Sequence, residues 1–120
     1  MRVEMLKSKI HRATVTGRSI HYEGSITIDK KLMKAAGIYK NEKVHVFDIN
    51  NGNRLETYVI EGGKGEIELN GAAARLVKKG DLVIIVAFGF VDEKQAGKVK
   101  PGIINVNRKN QIIKKKGKKK

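Results

Sequence analysis

The sequence predicts a small, mostly β barrel. Three observations carry this expectation. Apolar-rich runs 44–49 and 54–60 flank Asn51-Gly52, a pair favoured in type I′ hairpin turns. The segment DLVIIVAFGF, 81–90, is apolar on both strand faces and reads as a buried strand. The composition combines 13 glycines with three Phe, three Tyr and no Trp in 120 residues, which suits many short strands joined by tight turns.

The hairpin is read as Val44, Val46 and Ile49 on one arm and Arg54 to Ile60 on the other. EIEL, 66–69, alternates polar and apolar residues as a half-buried strand does. Gly102–Val106 and Gln111–Ile113 can pair around the polar NRKN turn. Two short helices interrupt the strands. Asp29 is placed to N-cap KKLMKAA, with Gly37 as the stop. Asn70 is placed to cap a turn over Gly71–Val77, ended by Gly80.

Length and composition indicate one modest domain. There is no apolar run near 18 residues and so no helical membrane span, and the opening MRVEMLKSK lacks a signal peptide's apolar stretch. Without cysteine there is no disulfide, thiol nucleophile or thiolate metal site. His11, His21 and His45 lack metal-ligand spacing, so no metal is expected. A cytoplasmic setting is the expectation.

The net charge of +14 invites a nucleic-acid reading, but its distribution weakens it. Residues 94–120 hold 11 Lys and Arg and no acidic residue, whereas residues 1–93 hold 15 basic and 12 acidic. The excess lies at the end, KKKGKKK, which reads as a solvated tail over 108–120 beyond a domain spanning 1–107.

The chemistry is sought in YEGSITID, 22–29. A Gly-Ser pair by itself is ordinarily a turn entering a strand. Held in a strained conformation, however, a serine hydroxyl can attack the carbonyl of the residue before it, and glycine leaves that carbonyl uncrowded. The amide becomes an ester. Elimination then leaves dehydroalanine, and hydrolysis converts this to a pyruvoyl group, a covalent electron sink made from the chain.

The pair has company. MLKSKIHRATVT (5–16), HYEGSITID (21–29), NGNRLETYVI (51–60) and NGAAA (70–74) occur in this order. Together they resemble the pyruvoyl-dependent aspartate 1-decarboxylases, over about residues 1–90. The resemblance implies a six-stranded double-psi β-barrel with short helices, assembled as a homotetramer with sites between neighbouring subunits. It implies cleavage at Gly24-Ser25 into a β chain, 1–24, and an α chain, 25–120, whose pyruvoyl end forms a Schiff base with L-aspartate. No pyridoxal phosphate is needed. Decarboxylation to β-alanine would serve pantothenate and coenzyme A synthesis. Some family members are processed with a partner protein, so a maturation factor is a candidate partner.

By the same resemblance Thr57 assists cleavage, and its hydroxyl suits the oxyanion at the Gly24 carbonyl. Tyr58 is the proton donor after carbon dioxide leaves. Neighbours on a strand point to opposite faces, which sets Thr57 and Tyr58 in tension unless a bend or subunit boundary intervenes. Lys9 and Arg54 match the carboxylate-binding cations. The α-carboxylate must lose its charge, so a strong cation there would stabilise the ground state and slow the reaction. The fork of Arg54 is therefore assigned to the side-chain carboxylate. Substrate contacts are expected at Thr57, Gly71, Ala72 and Ala73, with Asn70 orienting the loop and His11 and Tyr22 in support. The segment between Ile60 and Asn70 looks shorter than in many relatives, and the lysine tail lies outside the family pattern. Two rival readings stay open: a basic β-barrel that binds nucleic acid, and a structural barrel without activity.

Overall fold

The computed structural model describes residues 1–20 and 24–113. The chain is mostly β. Its strands are β1 (Arg2–Thr14), β2 (Gly17–Ser19), β3 (Ser25–Asp29), β4 (Lys43–Asp48), β5 (Arg54–Gly62), β6 (Ile67–Asn70), β7 (Leu82–Asp92), β8 (Gly102–Val106) and β9 (Ile112–Ile113). They run in the order β2-β6-β3-β5-β4-β7-β1-β8-β9. The contiguous middle of that order, β6 through β1, comprises six strands, with β2 extending one end and β8 and β9 the other. Pairs β1–β8, β2–β6 and β3–β5 are parallel and the rest antiparallel.

The interior is aliphatic. Ile10, Ile26, Ile28, Val44, Val46, Val59, Ile67, Leu69 and Ile85 are among its fully buried side chains. Removing such branched side chains from water is the main driving force for the fold. β3 is buried along its whole length, as expected for a strand flanked on both sides and covered on both faces. At its far end Asp29 accepts from Lys31 N at 2.8 Å and caps helix α1 (Lys30–Ala36), and Gly37 ends that helix at φ 75°. Both caps fall where the sequence places them.

The long first strand was not anticipated. Its apolar positions lack an even alternation because extra residues enter the ladder between Leu6 and Ser8 and between Ile10 and Ala13. Such bulges interrupt the period-2 pattern from which a strand is read. β7 is buried from Leu82 to Ala87, apart from half-buried Ile84, but then emerges, leaving Phe88 and Phe90 exposed. The expectation of burial throughout 81–90 therefore holds for its first half.

The β4–β5 connection is a hairpin, but not a type I′ turn. That turn requires positive φ at both central residues, and of the pair only Gly52 has it, at 79°. Asp48 causes the difference. Its Oδ1 accepts from Asn50 N at 2.8 Å and Asn51 N at 3.3 Å, and its carbonyl accepts from Gly52 N at 2.8 Å. Asp48 N donates to Asn53 O at 2.8 Å, closing a four-residue loop. The NRKN turn does join β8 to β9, and residues 108–113 belong to that turn and strand. His21, Tyr22 and residues 114–120 lie outside the described residues.

Helix α1 and β8 meet closely at Gly102, where an added Cβ would lie 2.8 Å from Ala36 O. Ser8 Oγ donates to the same carbonyl at 2.6 Å. Gly102→Ala is expected to destabilise the fold by about 1–3 kcal/mol through backbone displacement. Gly97→Ala, where a Cβ meets nothing within 4 Å, should cost less. Urea unfolding of both variants checks the contrast.

Candidate active site

Ser25 opens β3 and is 1% exposed. It stands in register with Asn70 on β6. Asn70 Nδ2 donates to Ser25 Oγ at 2.9 Å and to Thr27 Oγ1 at 3.0 Å, all three groups being buried. The expected N-cap role of Asn70 is therefore not observed: its amide turns to β3 and makes no cap hydrogen bond. The following turn is a 3-10 helix, Gly71–Leu76, that ends at Val77 before reaching Gly80. Gly71, with φ 66°, permits the sharp departure from β6.

Gly24 is exposed, and a Cβ placed on it would meet nothing within 4 Å. The parallel β3–β5 register pairs Ile26 with Val59, and extending it back two residues sets Gly24 level with Thr57. A shallow cleft of about 400 Å³ lies here, lined by Gly24, Thr57, Tyr58, Ala72 and Ala73, with Leu55, Glu56 and Leu76. Three sequence blocks distant along the chain thus converge on the peptide bond singled out above.

The tension between Thr57 and Tyr58 is real. Thr57 is in register with buried Val44 and faces inward, whereas Tyr58 is in register with Lys43 and faces outward. Arg54 and Glu56 share the outward face of β5. Arg54 lies in a neighbouring concavity with His45, Phe47 and Phe88, its guanidinium 4.6 Å from the Phe47 ring centroid. Glu56 pairs with Lys43 at 3.2 Å and with His45 at 3.4 Å. Hydrogen bonding to Lys43 lowers its carboxyl pKa below the ordinary value.

Lys9 is in register with Val86, which is in register with His45, so Lys9 shares this outer face. Within one chain, however, Lys9 and His11 do not line the Gly24 cleft. Their strand lies three strand spacings from β5 along the sheet, about 14 Å. Tyr22 falls outside the described residues. No group of three or more His, Asp or Glu arranged to hold a metal occurs among the described residues.

Residues that sequence reasoning missed hold the cleft's loop. Leu76 O accepts from Asn51 Nδ2 at 3.1 Å and from Asn53 Nδ2 at 3.0 Å. From the opposite side Arg18 donates to Ala74 O at 3.1 Å and Val77 O at 3.2 Å. The 3-10 helix is thereby fastened to both the hairpin loop and β2. Asparagines flanking a turn glycine were the available signal, but they read as turn formers alone.

The hairpin loop is anchored by Asp48, which is 2% exposed. Burial, followed by the neighbouring Asp81 carboxyl, pushes its pKa up to about 6 from 3.8. The folded state therefore holds a proton that the unfolded chain releases between about pH 4 and 6. The contribution of Asp48 to stability falls as pH rises through that window and levels off above it. Asp48→Asn, which keeps an acceptor for the loop, should flatten this dependence and gain roughly 1–3 kcal/mol at pH 7. Thermal unfolding across pH 4–7.5 measures it.

Comparison with known proteins agrees with the convergence of these blocks. Residues 1–113 match the profile of the aspartate decarboxylase family. An aspartate 1-decarboxylase of Campylobacter curvus is 60% identical, covering 96% of this chain and all of that protein. Those of Campylobacter concisus and Acetivibrio thermocellus are 58% and 57% identical, covering 95% and 94% of this chain and 99% and 91% of theirs. Among solved structures, a rationally designed protein aligns at a TM-score of 0.44 and 20% identity, over 71% of this chain and 96% of that one.

Proposed function

The chain belongs to the aspartate decarboxylase family, and we propose that it converts L-aspartate to β-alanine and carbon dioxide after cutting itself between Gly24 and Ser25. The observation that carries this reading is the meeting of Gly24, Thr57 and the 70–74 loop around one serine. The product is a precursor for pantothenate and coenzyme A. The nucleic-acid alternative is not favoured, since the relatives match nearly the whole chain and carry a decarboxylase name.

In the proposed cleavage Ser25 Oγ attacks the Gly24 carbonyl carbon. A C–O bond forms, the Gly24–Ser25 C–N bond breaks, and the hydroxyl proton passes to the Ser25 nitrogen, leaving an ester. Loss of the Ser25 Cα hydrogen then expels the Gly24 carboxylate as the end of the 1–24 chain. Water converts the dehydroalanine left at position 25 to a ketone with release of ammonia. Thr57, level with Gly24, supplies a hydroxyl for the oxyanion. The Asn70 amide donates to Ser25 Oγ and holds it in place. The residues present fit a pyruvoyl group: a buried serine leads a fixed strand, and Gly24, Ala72 and Ala73 leave room beside it. Such a group supplies a ketone that takes the substrate amine and draws off the electron pair released with carbon dioxide.

Around it, Arg54 binds the side-chain carboxylate, Lys9 assists, and Tyr58 delivers the proton to Cα. Gly71, Ala72 and Ala73 contact substrate through their backbone. Lys9, Arg54 and Tyr58 share an outer sheet face on which Phe88, Phe90 and Ile103 are 39%, 59% and 49% exposed. Exposed apolar surface of this kind favours association. A cytoplasmic homotetramer would cover it, and a neighbour's Lys9 and His11 could then reach a cleft that their own chain's copies do not. Tyr22 joins the site as a supporting residue, and a maturation factor remains a partner to be sought.

Ser25→Ala should yield only full-length chain by intact mass and release no carbon dioxide from aspartate. Normal release by that variant would overturn the proposal. Arg54→Lys should raise the Michaelis constant for aspartate by about tenfold through loss of bidentate contact. An unchanged constant would remove Arg54 from carboxylate binding.

A further inference from the structure

We infer that Thr27 is a positioning residue for the self-cleavage, acting through Asn70. The inference rests on the reading of Ser25 as the self-processed residue. Asn70 Nδ2 has two hydrogens, and both are used: one goes to Ser25 Oγ at 2.9 Å, the other to Thr27 Oγ1 at 3.0 Å. A single contact would leave the amide free to turn about its terminal torsion, which is broad for asparagine. Two contacts fix its plane. Thr27 therefore determines how the amide meets the serine hydroxyl, although it touches neither reacting atom.

The surroundings hold Thr27 itself in one place. Ser25 and Thr27 alternate along β3 with Ile26 between them, so both hydroxyls face Asn70 on the adjacent strand. Thr27 is 8% exposed. Its methyl group occupies the space where Gly62 lacks a side chain: a Cβ on Gly62 would lie 2.5 Å from Thr27 Cγ2. A β-branched residue packed this way has little rotamer freedom, which keeps Oγ1 directed at the amide.

The chemistry explains why this matters. Attack on the Gly24 carbonyl needs a lone pair of Ser25 Oγ aimed at that carbon. Donation from Asn70 occupies one acceptor direction of the hydroxyl and so limits where its remaining lone pair and its hydrogen can point. Loosening the amide widens that distribution and lowers the fraction of chains poised for attack.

The test compares wild type, Ser25→Ala, Thr27→Val and Thr27→Ser as freshly made chains. Intact mass follows cleavage at one temperature below all melting points. Hydroxylamine, which cuts an ester far faster than an amide, reads the first step separately. Thr27→Val keeps the shape and loses the hydroxyl, so it should cleave about tenfold more slowly and show less hydroxylamine-sensitive chain. Thr27→Ser retains the acceptor but loses the methyl that directs it, so its cleavage should fall between those of wild type and Thr27→Val, about threefold below wild type. Wild-type cleavage by Thr27→Val, or equal slowing in Thr27→Ser, overturns the inference while leaving the role of Ser25 intact. Should the valine variant fail to fold, Thr27→Ala takes its place against Thr27→Ser with the same two outcomes. A wild type that stays uncut both when purified and in lysate of its source cells overturns the self-cleavage reading and this inference with it.

Discussion

β3 has no free side. It runs parallel to β5 and antiparallel to β6, and each of its five residues is buried. That confinement controls the rest of the site. A strand held by two ladders cannot slide without turning Ile26 and Ile28 away from the core, because a one-residue slip reverses every side chain. Ser25 is therefore fixed against Asn70, and the peptide before it leaves the sheet beside Thr57. At the other end the same strand delivers Asp29 to cap α1. Ser25 and the helix cap are two ends of one buried segment.

A second layer of constraint comes from short polar side chains. Asp48 shapes the hairpin loop, Asn51 and Asn53 join that loop to Leu76, and Arg18 holds the same 3-10 helix from β2. Burying a carboxyl is unfavourable, and it is offset here at Oδ1, which receives two backbone N–H groups, while Oδ2 is buried without a hydrogen-bond partner. The small residues 72 and 73 can line the cleft because their loop is fixed by others and need not pack itself.

Much of this was legible from residue order. The α1 caps at Asp29 and Gly37, the hairpin arms and the β8–β9 pair follow from local patterns whose signals lie within a few residues. Other features depend on distant partners. The long β1 has no even alternation to mark it, because its bulges interrupt the period. The hairpin loop departed from type I′ because Asp48, outside the Asn-Gly pair, captures the backbone N–H groups. The local pattern makes Asn70 a helix cap, a common use of asparagine, whereas a strand 45 residues earlier claims its amide. Ser25, Gly24, Thr57 and the 70–74 loop were found by resemblance and are brought together by the fold. Lys9 and His11 came from the same source but stand apart from the cleft within a single chain.

The outward face of β5 bears Arg54, Glu56 and Tyr58, while Thr57 looks inward, so the proposed cleavage and the proposed substrate capture would draw on different sides of one strand. The proposed function brings both to position 25, where labelled aspartate can test it. Incubation of the matured protein with radiolabelled aspartate and a borohydride reductant should attach label at the first position of the 25–120 fragment. Label confined to lysine side chains, or none on that fragment, would contradict the account.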